Sequence, residues 1–153
     1  MTPAEFRAAM RPLVMAAHRL KSDAPIERVL DKVERKVSSC VSNANTRAKK
    51  AGVPGRLTRD HVRQAFLVDY GKECPFTAEM LRYKNSELDH IEPLAAGGDN
   101  TPENVRLISL RANKIKENMS ARSARILFEA LLKMDPQSAA SVTRRLMAKP
   151  KWR

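Results

Sequence analysis

Little in this chain can stack on a nucleobase, because aromatic residues make up only 5% of its 153 positions. That scarcity argues against a single-strand binding platform, which needs aromatic faces at intervals along a groove. Cysteine is scarcer still: Cys40 and Cys74 are the only two. Two are too few for a disulfide scaffold or a thiolate-built zinc site, so a reducing cytoplasm is the expected setting. No run of about 18 apolar residues occurs, which removes a membrane-spanning helix from consideration. The opening stretch, MTPAEFRAAMRPLVMAAHRLK, is amphipathic and broken by charges, so it does not read as a secretory signal.

Positive charge, by contrast, is abundant. Lys and Arg number 29 against 17 Asp and Glu, a net charge of +12. Such a balance points to a polyanionic partner, with double-stranded DNA the first candidate and an anionic membrane surface the second. The excess is unevenly spread. Residues 1–50 are net +6, residues 51–110 are net −2 and residues 111–153 are net +8. An acidic centre in a polyanion-binding chain needs a reason, and a bound cation is a good one.

Apolar spacing predicts a largely helical chain. Phe6, Met10, Leu13, Ala17 and Leu20 form one seam, in which Pro12 is expected to kink or start the helix. Ser22 to Pro25 reads as a helix start, and Ile26, Leu30, Val33, Val37, Cys40 and Ala44 carry a second seam to about Lys50, before Gly52. These seams pack on the rest of the chain or pair two copies as a homodimer. Thr58 caps a third helix running to Gly71. Ser86–Ile91 and Val105–Leu110 read as short strands separated by the turn-forming stretch from Gly97 to Pro102. A helix follows from about Arg111, another from Ser120, and Asp135-Pro136 starts a last one that ends in the basic tail KPKWR. The expected organisation is α+β and mostly helical: a basic helical arm at 1–51, a core at 52–119 and basic helices at 120–153.

The informative stretch is ELDHIEPLAAGGDNTPENVRLISLRANKIKENMS. Asp89 and His90 stand together at a strand end, Asn104 just before the second strand, Asn113 in the first turns of a helix and Lys116 three residues on. A hard divalent cation takes oxygen ligands, which Asp89 and Asn113 supply. An imidazole titrating near neutrality suits a general base, a role open to His90. Lys116 shares a helix face with Asn113, where it either meets a phosphate or sits in solvent. Neighbouring strand residues point to opposite faces, so a strand end or bulge is required for Asp89 and His90 to act together. His18 and His61 read as surface or core histidines, and Cys40 as core.

Asp89-His90, Pro93, Gly97-Gly98, Asn104, Asn113 and Lys116, in this order, resemble the HNH endonuclease family, over about residues 72–118. LTRDHV and KECPFT are similar to the lead-in common in that family. The resemblance implies a small ββα-metal motif embedded among the flanking helices. It makes His90 the general base, Asp89 and Asn113 the ligands of one divalent ion, and Asn104 the residue that orients the active-site loop. The expected activity is metal-dependent hydrolysis of DNA, by nicking or double-strand cleavage. Asn113 stands where the family often has a final His, which makes this an HNN variant. An amide oxygen favours Mg²⁺, or Mn²⁺, over softer metals. Many members also hold a structural zinc between two Cys-x-x-Cys pairs. Here those positions read Cys74, Thr77, Ser109 and Ala112, so no structural zinc is expected, and Phe76, Leu81, Leu107, Ile108 and Leu110 are the apolar candidates to replace it.

Arg47, Lys49, Lys50, Arg111, Lys114 and Lys116 are the candidate DNA contacts. The variant type and the small size lean toward a phage or mobile-element nuclease acting in the cytoplasm of a bacterium or an infected host cell. Two other readings compete: a non-catalytic DNA-binding or assembly protein on a relic nuclease fold, and a nuclease toxin.

Overall fold

Thr2 and Glu5 form a reciprocal cap, with Pro3 in the first turn, and start helix α1, Pro3–His18. The helix runs through Pro12 instead of starting there. Both Pro12 and Ala8, whose carbonyl loses its amide partner, lie on the exposed face, where water can satisfy that carbonyl. Phe6, Met10, Val14 and Ala17 are buried. Val14 takes the inward place expected of Leu13, and Arg19 turns the chain left-handed (φ 53°) before Leu20 can extend the stripe. Helix α2, Asp23–Ala51, buries Ile26, Leu30, Val33, Val37, Cys40, Ala44 and Ala48, and ends at Gly52 with φ 66°. Arg7 pairs with Glu27 and Asp31, and Arg11 with Asp23 and Glu27. Rising numbers on one helix meet falling numbers on the other, so α1 and α2 form an antiparallel hairpin. The computed structural model describes residues 1–148; the tail KPKWR lies outside the described residues.

Helix α3, Arg59–Asp69, starts at the Thr58 cap. Its buried Arg63 bonds Glu34 and Asp60 and lies over the Phe6 ring, tying α3 to both preceding helices. Strands β1, Ser86–His90, and β2, Val105–Ser109, pair antiparallel, with Asp89 opposite Arg106 and His90 opposite Val105. Two 3₁₀ turns, Leu94–Ala96 and Pro102–Asn104, shape the connection between them. Helix α4, Leu110–Lys116, follows β2 directly and packs on both strands. Helices α5, Ala121–Lys133, and α6, Pro136–Met147, complete the described chain.

The architecture is α+β and mostly helical, with six α-helices and one two-stranded sheet among the described residues. One apolar core takes residues from α1, α2, α3, both strands, α4 and α5, so the segment 1–51 is part of the same packing unit as the hairpin. Its seams are buried inside the chain, so they pack on the rest of the chain, the first of the two arrangements open to them. Among the described residues no helix is long and apolar enough to cross a membrane.

Candidate active site

The connection between the strands is held by Asn104. Its side-chain oxygen accepts the Glu92 N–H (2.9 Å), and its amide nitrogen donates to the carbonyls of Glu92 (3.0 Å) and Asp99 (2.8 Å). One side chain thereby closes a loop of some ten residues beside the strand end. Gly98 is part of the same clasp: a Cβ there would lie 1.9 Å from the Glu92 carbonyl oxygen and 2.9 Å from the Asn104 amide nitrogen. Asn104 is thus a loop clasp, with its polar atoms engaged by backbone.

Asp89 and His90, adjacent at the end of β1, bond in different directions. Lys116 Nζ donates to Asp89 Oδ1 at 3.1 Å and to the His90 carbonyl at 2.7 Å. It also lies 3.0 Å from Asp89 Oδ2, but off the hydrogen-bonding direction, so Oδ2 is buried with no hydrogen-bond partner. The His90 ring turns the other way, with Nε2 at 2.9 Å from the Asn100 side-chain oxygen. Even so, both residues line one open cleft of about 440 Å³, with Arg47 of α2, Asn113 of α4 and Glu117 also on its walls. Strand alternation is overcome because both side chains sit at the strand terminus, where the connecting loop turns away.

Burial governs the electrostatics. It pushes the Asp89 carboxyl above its ordinary range, opposed by the Lys116 ammonium. It also holds the His90 imidazole below its ordinary value, against the hydrogen bond to the Asn100 side-chain oxygen, and the nearby Arg47 charge acts in the same direction as burial. His90 is therefore neutral at pH 7, with a lone pair to offer. Asp89 and Asn113, both on the cleft wall, bring one carboxylate and one amide to it. That set suits a hard, largely hydrated divalent cation. Among the described residues no three His, Cys, Asp or Glu side chains converge on a metal position, so any ion here keeps several waters.

Several expected DNA contacts lie elsewhere. Lys116 does not reach toward a phosphate: its side chain is fully buried against Asp89, because the last turn of α4 points into the core behind the strand end. Arg111 is exposed, pairs with Glu79 at 3.5 Å and lines a groove against α6. Lys114 is exposed and lines none of the cavities beside His90. Arg47 stands on the cleft wall itself. Lys49 lines a neighbouring depression with Arg56, which the sequence patterns do not single out, and Lys50 is exposed nearby on the same helix.

The opposite end of the hairpin holds Cys74, Thr77, Ser109 and Ala112, the four positions that the sequence resemblance sets against zinc ligands. Thr77 Oγ1 and Ser109 Oγ lie 2.9 Å apart, Ser109 N–H donates to Cys74 Sγ at 3.3 Å, and the Ala112 N–H donates to Ser109 Oγ at 3.1 Å. Burial of the Cys74 thiol opposes ionisation, but hydrogen bonds from Thr77, Ser109 and Phe76 outweigh it and lower the pKa. Phe76, Leu81, Leu107 and Ile108 are buried around this cluster as expected, while Leu110, the first residue of α4, is exposed. A hydrogen-bonded polar knot, in addition to apolar packing, ties the segment after α3 to the hairpin.

No family model matches the chain, and no curated protein or solved structure matches it.

Proposed function

We propose that the chain is a divalent-metal-dependent DNA endonuclease of the HNH type, with β1, β2 and α4 as its ββα-metal motif. The observation that carries the reading is the meeting of Asp89, His90, Asn113 and Arg47 on one open cleft, with a buried carboxylate oxygen that accepts no hydrogen bond and a neutral imidazole beside it. A divalent ion on Asp89 and Asn113 supplies charge neutralisation at the phosphate and the leaving oxygen when bound. His90 takes a proton from water in the cleft. Asn104 holds the loop that shapes one wall. Arg47, on the cleft wall, receives the scissile phosphate, while Lys49 and Lys50 at the end of α2 and Arg56 just beyond it extend a basic track.

One observation favours the competing reading, a fold that grips DNA without cutting it: the Lys116 ammonium already neutralises Asp89. A supercoiled-plasmid assay in Mg²⁺ or Mn²⁺ separates the two. The wild type is expected to nick, and His90→Ala to lose about 10²- to 10⁴-fold in rate. Equal cutting by the variant, or DNA retention without cutting in either ion, overturns the nuclease reading.

A further inference from the structure

We propose that Asn100 and Asn45 are positioning residues that set which ring nitrogen of His90 carries the proton; this rests on the nuclease reading of the site. The argument starts on the backbone. Asn45, on α2, donates from Nδ2 to the Leu57 carbonyl and accepts the Leu57 N–H at Oδ1, both at 2.9 Å. A peptide group offers one donor and one acceptor in fixed places, so this pair fixes the Asn45 amide the right way round. The same Oδ1 lies 2.8 Å from the Asn100 amide nitrogen. An oxygen only accepts, so the Asn100 atom facing it must be the NH₂ group, which also lies 3.4 Å from the Gly55 carbonyl.

The Asn100 oxygen is then left for His90, 2.9 Å from Nε2. That oxygen only accepts, so Nε2 carries the hydrogen. In the neutral ring the lone pair is therefore on Nδ1, which takes no hydrogen bond from any described residue. Nδ1 is the atom left to receive a proton from water in the cleft.

The chain of contacts is rigidly built. Asn100 is fully buried, and its N–H donates to the Pro54 carbonyl at 3.2 Å. Gly55, at φ 101°, passes so close that a Cβ there would lie 2.6 Å from the Asn100 carbonyl oxygen. The base on β1 is thus oriented from α2, 45 residues earlier in the sequence, through a buried asparagine on the hairpin connection. Partners behind a reacting group typically matter by 10- to 100-fold in activity.

The test reads the ring directly. Two-dimensional ¹H–¹⁵N NMR of the metal-free full chain, at a pH where the ring is neutral, reports the His90 tautomer. The wild type should show the Nε2–H form. Asn100→Ala should shift it to a mixture. Asn100→Asp keeps an acceptor at the ring and should retain the Nε2–H form. In plasmid cleavage Asn100→Ala should lower kcat about tenfold with KM unchanged, and Asn100→Asp should recover most of it. A wild-type ring protonated on Nδ1 overturns the proposal, as does an Asn100→Ala spectrum identical to wild type. If the wild type shows the Nε2–H form but cuts no DNA, the nuclease reading falls and the assignment of the ring stands.

Discussion

The two ends of the β1–β2 hairpin carry polar clusters of similar size with opposite characters. At the Ser109 end, Thr77, Cys74 and Ala112 satisfy one another around a single serine. At the His90 end, Asp89 Oδ2 is buried without a hydrogen-bond partner and His90 faces an open cleft. Buried polar groups are ordinarily paired, and an unpaired one asks for an explanation. The closed end ties the segment after α3 to the hairpin. The open end leaves a buried carboxylate oxygen that accepts no hydrogen bond and has only the Lys116 ammonium near it. Both ends are built on the same two five-residue strands, so what separates them is hydrogen-bond completion.

Removing Lys116 strikes the open end hardest. Lys116→Met leaves the Asp89 carboxylate buried without its counter-ion, and stability of the metal-free chain should fall by about 3–5 kcal/mol in urea unfolding. Mg²⁺ should restore more stability to this variant than to the wild type. Equal stabilisation of both would show that Asp89 and the ion do not meet.

The closed end should respond more mildly. Ser109→Ala removes the acceptor for the Ala112 N–H and the partner of Thr77, which should cost about 1–2 kcal/mol. Plasmid cleavage per folded molecule should not change. A drop in cleavage equal to that of His90→Ala would erase the distinction between the two ends.

The smallest effect concerns pH and lies away from both ends. His18 touches the Tyr70 hydroxyl at 2.8 Å. Its pKa is lowered from the ordinary 6.5, first by burial and then by Arg82 and Lys84. The unfolded chain therefore binds the proton more tightly. The contribution of His18 is complete above 6.5 and is lost as pH falls through its folded value. His90 acts with the same sign. His18→Gln keeps a polar partner for Tyr70 but does not titrate, so thermal stability should fall less steeply on acidification. An unchanged slope would assign the acid sensitivity to other groups.

The helices were largely legible because burial on a regular element leaves a period. All six residues expected along the second seam are buried in α2. Pro12 misleads because its effect depends on which face is solvated. Asp89, His90 and Asn113, singled out by type and order, do share a cleft. What stayed hidden depends on contacts across long separations. Lys116 meets Asp89 across 27 residues and Asn100 meets Asn45 across 55, and no spacing rule spans such distances. A faint signal existed for Asn45: asparagine is a poor choice inside a helix unless its side chain is needed locally, and here it follows the buried Ala44. Asn100 was hidden by its neighbours, since Gly-Gly-Asp-Asn reads as a turn and no more.

The internal ammonium of Lys116 also bears on how such a chain matures. A small module held by zinc folds only when the ion arrives, so its folding and its metal supply are one event. In this chain the ammonium travels with the polypeptide as a tethered counter-ion and balances Asp89 from the moment the core closes. The cleft therefore assembles with Asp89 already balanced, without waiting for a charge from solution.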